Sequence, residues 1–532
     1  MRKFLTLAVA AALVTGAAFA QSPMNASSWA IRPNATATPN PGAANGSGFG
    51  VFAGAGGVGP TSTNNDDSCD IGVAPAATLL LPNFEVSVVQ DRTQARDVLF
   101  SITNVSNRPQ IAHVTIWTDR SFPVIDFNLF LTGYDVVPVS LYDIIVRGQI
   151  PPTSVTTTLG SLSLSNTGSP GAGSNPNWAV SAVGNCTSLP GAIPSINADG
   201  TPVAGTLLAD LQNALTVGTY GTLTGVGNSH PGLAVGYVTM DVANTCSTTL
   251  PTRSGYYTTE ILYDNVFVGE YVRVNPTATT GNYAGGNPMV HIRAIPEGGV
   301  AGLPAGGGSV NFPFTFYDRY TDHTTTALAK ADRRMPLPGT FAARYIVGTP
   351  LNFGTDFAIW REGTVIGTAN ETSGAAGVAP NATIPFRETV RFDESENPTT
   401  IIGGVCRISP CPVAPTLSLP ETSTPSVNDA VFPVDSTVTT DAGGWVYMNL
   451  NNGGVAGYTA RGVAGTHVGR SQNWVIVQMT SESRYGVDFD AAWLGNGCSA
   501  DTAITGTTAA TSTIGPAGGI CSTANPLCNT TP

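Results

Sequence analysis

Between residues 76 and 146 the chain is cut into short runs of Val, Ile, Leu, Phe and Thr, parted by Asn, Pro, Gly and Asp. No feature limits the fold more. Runs of this length are too short for helices, and turn residues at such intervals are the signature of an antiparallel β-sandwich. The stretch "FSITNVSNRPQIAHVTIWTD" at 100–119 shows the logic at residue level. Side chains alternate across a strand, so Phe100 and Ile102 share one face, as do Ala112, Val114 and Ile116 on the return strand. Those are the expected core positions. Asn104, Ser106, Asn107 and Pro109 supply turn chemistry, because Asn bonds its own backbone and tolerates a positive φ. His113, Thr115 and Trp117 then share the opposite face, and His113 and Trp117 are expected as a possible surface contact or a contact with a neighbouring layer.

The same alternation returns in "GLAVGYVTMDVAN", "VFVGEYVRVNP", "FAARYIVG", "TDFAIWREG", "GWVYMNLN" and "QNWVIVQMTS". Only two windows read as helix: "GTLLADLQNALTVG", with Leu207, Leu208, Leu211 and Leu215 at helical spacing, and "TTTALAKADRR". The fold class is therefore mainly β: antiparallel β-sandwich domains with one or two short helices and long Gly/Thr/Asn-rich loops. Residues 1–20 read as a secretory signal peptide, with Arg2 and Lys3 ahead of an apolar run and Ala18-Phe19-Ala20 as a cleavage site. A low-complexity arm (21–68) follows, then a β-sandwich-like region (69–150) and a polar insertion with a short helix (151–234). A second β-rich region (235–497) and a Cys-containing Gly/Thr/Ala-rich tail (498–532) complete the division.

Charged residues make up only 11% of the chain while hydrophobic content is 42%, so a core can form although the surface depends on Thr, Ser, Asn and Gly. Without Arg2 and Lys3 the net charge moves from −12 to −14, and Lys330 is the only lysine left. Such a chain lacks the clustered cations that phosphate binding requires, which excludes nucleic acid as a partner. No later stretch is long and apolar enough to span a bilayer as a helix. Eight cysteines form an even set, suited to disulfides in an oxidising compartment. Cys406 with Cys411 and Cys521 with Cys528 are close enough in sequence to pair, and Cys186 and Cys246 are further disulfide candidates. Zinc is disfavoured, since no C-x-x-C spacing occurs and no His lies beside either pair.

Standard catalytic signals are missing: no G-x-S-x-G elbow, H-E-x-x-H helix, P-loop or G-x-G-x-x-G after a strand. "GNSHPG" places Ser229 beside His230 without nucleophile-elbow spacing. The histidines (His113, His230, His291, His323 and His467) are too scattered for a local metal motif, and His113 and His291 sit in strand patterns where a hydrogen-bonded structural role is expected. No cofactor is implied, apart from calcium at Asp66, Asp67 and Asp70 in "NNDDSCD" or, more weakly, at "FDESEN" (392–397). Asp356, Glu362, Asp488 and Asp490 near Trp360 and Trp493 offer a sugar-binding or glycoside-cleaving alternative, with carboxylates beside aromatic platforms.

"LFSITNVSNRPQIAHVTIWTDRSFPVIDFNLFLTGYDVVPVSLYDI" (99–144), with "LYDNVFVGEYVRVN" (262–275) and "DRRMPLPGTFAARY" (332–345), resembles a group of uncharacterised exported bacterial proteins. The resemblance rests on Thr103-Asn104 with Ser106, on His113-Val114, and on Ile125 to Leu131 before Gly133 to Val136. It implies immunoglobulin-like β-sandwich proteins of the cell surface, and it carries over no site residues. The expected function is that of an exported, non-catalytic structural or adhesive protein of the bacterial surface or extracellular matrix. Its partners would be cell-surface components, copies of itself, or glycans. The alternatives are a secreted carbohydrate-binding or carbohydrate-degrading protein and a self-assembling surface-layer or filament subunit.

Overall fold

The computed structural model describes residues 75–89, 91–106, 110–151, 197, 203–243, 250–251, 256, 261, 265–276, 283–292, 337–361, 384–385, 388–396, 398–402, 418–429, 431–432, 442–450, 472–481 and 485–493. All of them belong to one unit, Ile71–Ile295 with Gly306–Pro532. The helix expected at "TTTALAKADRR" lies outside the described residues, as do the arm, the tail and residues 152–196.

The first half begins with β1 (Thr78–Ser87), β2 (Asp97–Asn104), β3 (Gln110–Thr118), β4 (Pro123–Leu131) and β5 (Val136–Ser140). Helices α1 (Leu141–Ile145) and α2 (Leu207–Thr216) follow, then the short pair β6 (Thr219–Tyr220) and β7 (Leu223–Thr224). It ends with β8 (Leu233–Ala243), β9 (Phe267–Asn275), β10 (Tyr283–Pro288) and β11 (Val290–Ile292). These strands make a five-stranded sheet, β11-β1-β8-β3-β4, and a four-stranded sheet, β10-β9-β2-β5, with antiparallel pairing throughout. Phe100, Ile102, Ala112, Val114 and Ile116 are all buried, as the alternation requires. The boundary expected at 235 is displaced: β8 to β11 complete the first pair of sheets, because β8 fills the gap between β1 and β3 and β9 pairs with β2.

The second half holds β12 (Thr340–Ile346), β13 (Gly354–Arg361), β14 (Ile384–Pro385), β15 (Glu388–Asp393), β16 (Pro398–Ile402), β17 (Ser418–Leu419), β18 (Thr422–Ser423), β19 (Gly443–Asn449), β20 (Asn473–Ser481), β21 (Tyr485–Asp490) and β22 (Ala492–Trp493). It repeats the layout of five and four strands: β16-β15-β19-β12-β22 and β18-β13-β20-β21, with β14 and β17 as a separate pair. The molecule is mainly β, built from antiparallel sheets with no closed barrel among the described residues.

Helix α2 falls inside the leucine-spaced window. Thr206 caps it by accepting from the Ala209 amide, and Leu208, Leu211, Ala214 and Leu215 form its buried face. Helix α1 arises where Ser140, at the end of β5, accepts from the Asp143 amide. Gln212 Nε2 donates to the Ile145 carbonyl at 2.8 Å and so joins the two helices. Among the described residues no helix is long and apolar enough to cross a membrane.

Polar groups fasten the two halves together. Asn83 Nδ2 donates to Thr422 Oγ1 at 3.0 Å, and Thr422 Oγ1 donates to the Pro82 carbonyl at 2.7 Å. Arg273 grips the buried Asp488 carboxylate through Nε (2.9 Å) and Nη2 (2.6 Å), a bidentate pairing with fixed geometry.

Candidate functional site

Every residue of β3 is buried, so both faces of the five-stranded sheet are covered at that strand. His113 is 2% exposed and Trp117 fully buried, so of the two expected alternatives this face makes the contact with a neighbouring layer and not a surface contact. The Trp117 ring stacks on Tyr237 at 5.6 Å, Tyr237 meets Trp360 of the second half edge-on at 5.8 Å, and Tyr256 stands 5.7 Å from the His113 ring. Those aromatic groups close the face.

A polar ladder lies beneath this cover. Trp117 Nε1 donates to Thr239 Oγ1 at 2.8 Å. Asp241 accepts from Thr78 Oγ1 and from the Tyr256 hydroxyl, both at 2.5 Å. Since Asn128 Oδ1 can only accept, His113 Nδ1 donates their 3.0 Å bond, and Nε2 is the ring's other nitrogen. Among the described residues that nitrogen has no partner, nor does the buried Thr115 hydroxyl one position along the same face. Asp126 is paired with Thr115 across β3 and β4, and burial raises its carboxyl above the usual range while the His113 charge opposes the rise.

His291, on β11, takes the structural role expected of it. Its Nδ1 donates to the Met289 carbonyl at 2.6 Å, and its Nε2 accepts from the Gly269 amide at 3.1 Å. Burial holds its pKa down at about 4, because protonating Nε2 would displace an amide donor from a dry site.

The arrangement most like a catalytic one joins His230 to Asp119. His230 Nε2 lies 2.9 Å from Asp119 Oδ2, and the carboxylate is fully buried. Asn228 adds its backbone amide to Oδ1 (2.9 Å) and its side-chain amide to Oδ2 (2.7 Å). Arg120 then holds Asn228 Oδ1 and the Gly225 carbonyl, and Thr118 Oγ1 donates to the Val226 carbonyl at 2.6 Å. A side chain at Gly227 would meet the Ala214 carbonyl at 2.7 Å, so only glycine lets the loop lie this close.

An Asp-oriented imidazole can act as a base when a nucleophile reaches its other nitrogen. Among the described residues no hydroxyl or thiol hydrogen-bonds that nitrogen, and Ser229 is an exposed loop residue. What the network does is fasten the 225–230 loop to the β3–β4 turn. Ser121 extends it to the second half, donating to Glu421 and accepting from the Tyr237 hydroxyl at 2.6 Å. Nothing local in the sequence connects Asp119 to a histidine 111 residues away.

The sugar-binding candidates are not assembled as an open platform. Trp360 is 1% exposed. Asp488 is engaged by Arg273, and Asp490 accepts from Trp474 Nε1 at 3.0 Å and Asn287 Nδ2 at 2.9 Å. Partial burial lifts the Asp356 carboxyl. Glu362 and the Trp493 side chain lie outside the described residues, as do Asp66, Asp67 and Asp70 and the cysteines, including Cys186, Cys246, Cys406, Cys411, Cys521 and Cys528. The described part of the 392–397 patch is a turn: Asp393 accepts from the Ser395 amide, Glu394 pairs with Arg344, and Phe392 stacks on Trp445.

The outer face of the four-stranded sheet is open. A groove of about 700 Å³ lies on it, floored by Leu99, Ser101, Pro138, Glu270 and Val272 and walled by Asp143 and the 149–151 segment. Leu99 pairs with Val272 and Ser101 with Glu270 across β2 and β9, so the floor is two adjacent rungs of one ladder. Leu99 and Val272 are 38% and 41% exposed. Charges in the wall cancel: Arg92 makes two bonds to Asp143 (2.9 and 3.0 Å) and one to Asp97 (3.1 Å), and Arg147 adds a contact to Asp143.

No protein-family model matches the chain, and no curated protein matches it. Among solved structures it aligns with the Streptomyces avermitilis α-L-rhamnosidase complexed with L-rhamnose, at 7% identity and a TM-score of 0.14. That alignment covers 78% of this chain and 26% of the rhamnosidase, so the chain spans about a quarter of that protein.

Proposed function

We propose that the chain is an exported, non-catalytic structural or adhesive protein of the bacterial surface or extracellular matrix. One observation carries this reading: the titratable groups placed for chemistry are engaged in fastening. Asp119 and His230 hold a loop, Asp241 ties β1 to Tyr256, and Asp488 joins the halves through Arg273. The leader expected at 1–20 and the cysteine set support export into an oxidising compartment.

Fractionation of the producing cell, with the mature N-terminus sequenced, tests the first half of the proposal. Protein shortened at its N-terminus and recovered from the surface or medium is the expected result, and full-length protein confined to the cytoplasm would sink it. A deletion strain that adheres and forms matrix like its parent would remove the adhesive role. Hydrolysis of a common polysaccharide by the purified chain would replace this reading with the glycosidase alternative.

A further inference from the structure

We propose that the groove on the four-stranded sheet is a binding site for a free alkylammonium ion: a primary amine head on an aliphatic stem. This goes beyond the structural reading and does not depend on it. The first ground is charge. Asp97 and Asp143 are matched at the rim by Arg92 and Arg147, whereas no described residue hydrogen-bonds or ion-pairs with Glu270 in the floor. The groove lining therefore carries one unmatched, exposed carboxylate.

The second ground is what surrounds that carboxylate. Ser101, its cross-strand neighbour, offers a hydroxyl oxygen. Leu99, Val272 and Pro138 give the rest of the floor an aliphatic surface. An ammonium group has three donors and no acceptor, which suits two carboxylate oxygens and a hydroxyl. Its methylene stem would cover the exposed Leu99 and Val272 side chains, and burying such area is favourable by about 25 cal/mol per Å².

Other ligand classes fit less well. A neutral alkyl chain would desolvate Glu270 without returning a hydrogen bond. An anion would meet the carboxylate directly. A sugar ring would find no exposed aromatic face, because the nearby rings Tyr142 and Tyr271 are 0% and 3% exposed. The volume lies in the range of roughly 300–1,000 Å³ typical of small-ligand sites.

Isothermal titration of the full chain with hexylammonium, hexanol, hexanoate, glucose and a lysine-containing tripeptide separates these cases. Saturable binding of hexylammonium is expected, with hexanol, hexanoate and glucose weaker by at least roughly tenfold, the value of one charge-assisted hydrogen bond. Glu270→Gln should weaken hexylammonium by about tenfold or more at an unchanged melting temperature, since the residue is exposed. Val272→Ser should weaken it by shortening the aliphatic floor. Equal binding of hexanol, tighter binding of glucose or of the tripeptide, or an unaffected Glu270→Gln protein would each overturn the proposal.

Discussion

The two sheets of the first half invert the usual distribution of side chains. The five-stranded sheet is covered on both faces at β3 and β8, yet its outer face carries His113, Thr115, Asn128, Thr239 and Asp241. In the four-stranded sheet the outer face is open, with β5 reading exposed-buried-exposed-buried along Val136 to Val139, and it carries Leu99, Val136, Pro138 and Val272. Polar groups are hidden where cover is complete, and aliphatic groups face water where it is absent. The contrast teaches that buried polarity is held mainly as a network: Asp241 has two donors and Trp117 one acceptor, with the Thr115 hydroxyl as an exception. Aliphatic exposure on the other sheet needs a different explanation, and an occupant supplies one.

Substitutions can break or sharpen this contrast. Trp117→Ala removes a fully buried ring, its stacking on Tyr237 and its bond to Thr239. A loss of about 3–5 kcal/mol in unfolding free energy is expected, read from the denaturant midpoint and slope. A next and slightly smaller effect is set by pH. The unfolded chain protonates His291 near its ordinary 6.5, whereas the native ring resists until about 4. Between those values the unfolded state binds more protons, so this contribution is complete above the upper value and falls as pH drops through the window. The loss amounts to about 3 kcal/mol at its lower end. Equilibrium unfolding measured across the window checks it, with His291→Gln giving the flatter profile; identical slopes would contradict the assignment.

Thr115→Val should act with the opposite sign. It replaces a buried hydroxyl that has no partner among the described residues by a methyl of the same shape, and a gain of about 1 kcal/mol in thermal or chemical stability is expected. The smallest effect belongs to the open face, where Leu99→Thr should shift stability by no more than about 0.5 kcal/mol. A Leu99 effect as large as that of Trp117 would show that the open face is covered after all, and the contrast would fall.

Local signals made much of the fold legible, and long-range ones did not. Alternation identified Phe100, Ile102, Ala112, Val114 and Ile116 as core, and leucine spacing located α2. The shared face of His113, Thr115 and Trp117 was readable from parity, but its cover was not, because Tyr256 and Trp360 come from distant segments. Strand patterns say nothing about partners, so that β8 lies between β1 and β3 could not be read from its own residues. The Asp119–His230 pair left no trace at all in sequence, since its spacing is set by the loop that it holds. Nor was the groove visible: Leu99 looks like any alternating strand residue until the open face of its sheet is known.

The contacts joining the halves also fix a timetable. Asn83 waits for Thr422 across 339 positions, and Ser121 waits for Glu421 across 300. Until the second half has formed, the first half must keep the Ser121 turn and the Trp117–Tyr237 stack without their final neighbours. Closing loops of this length costs chain entropy before the contacts repay it, so the joint between the halves is the costliest closure of the fold to nucleate.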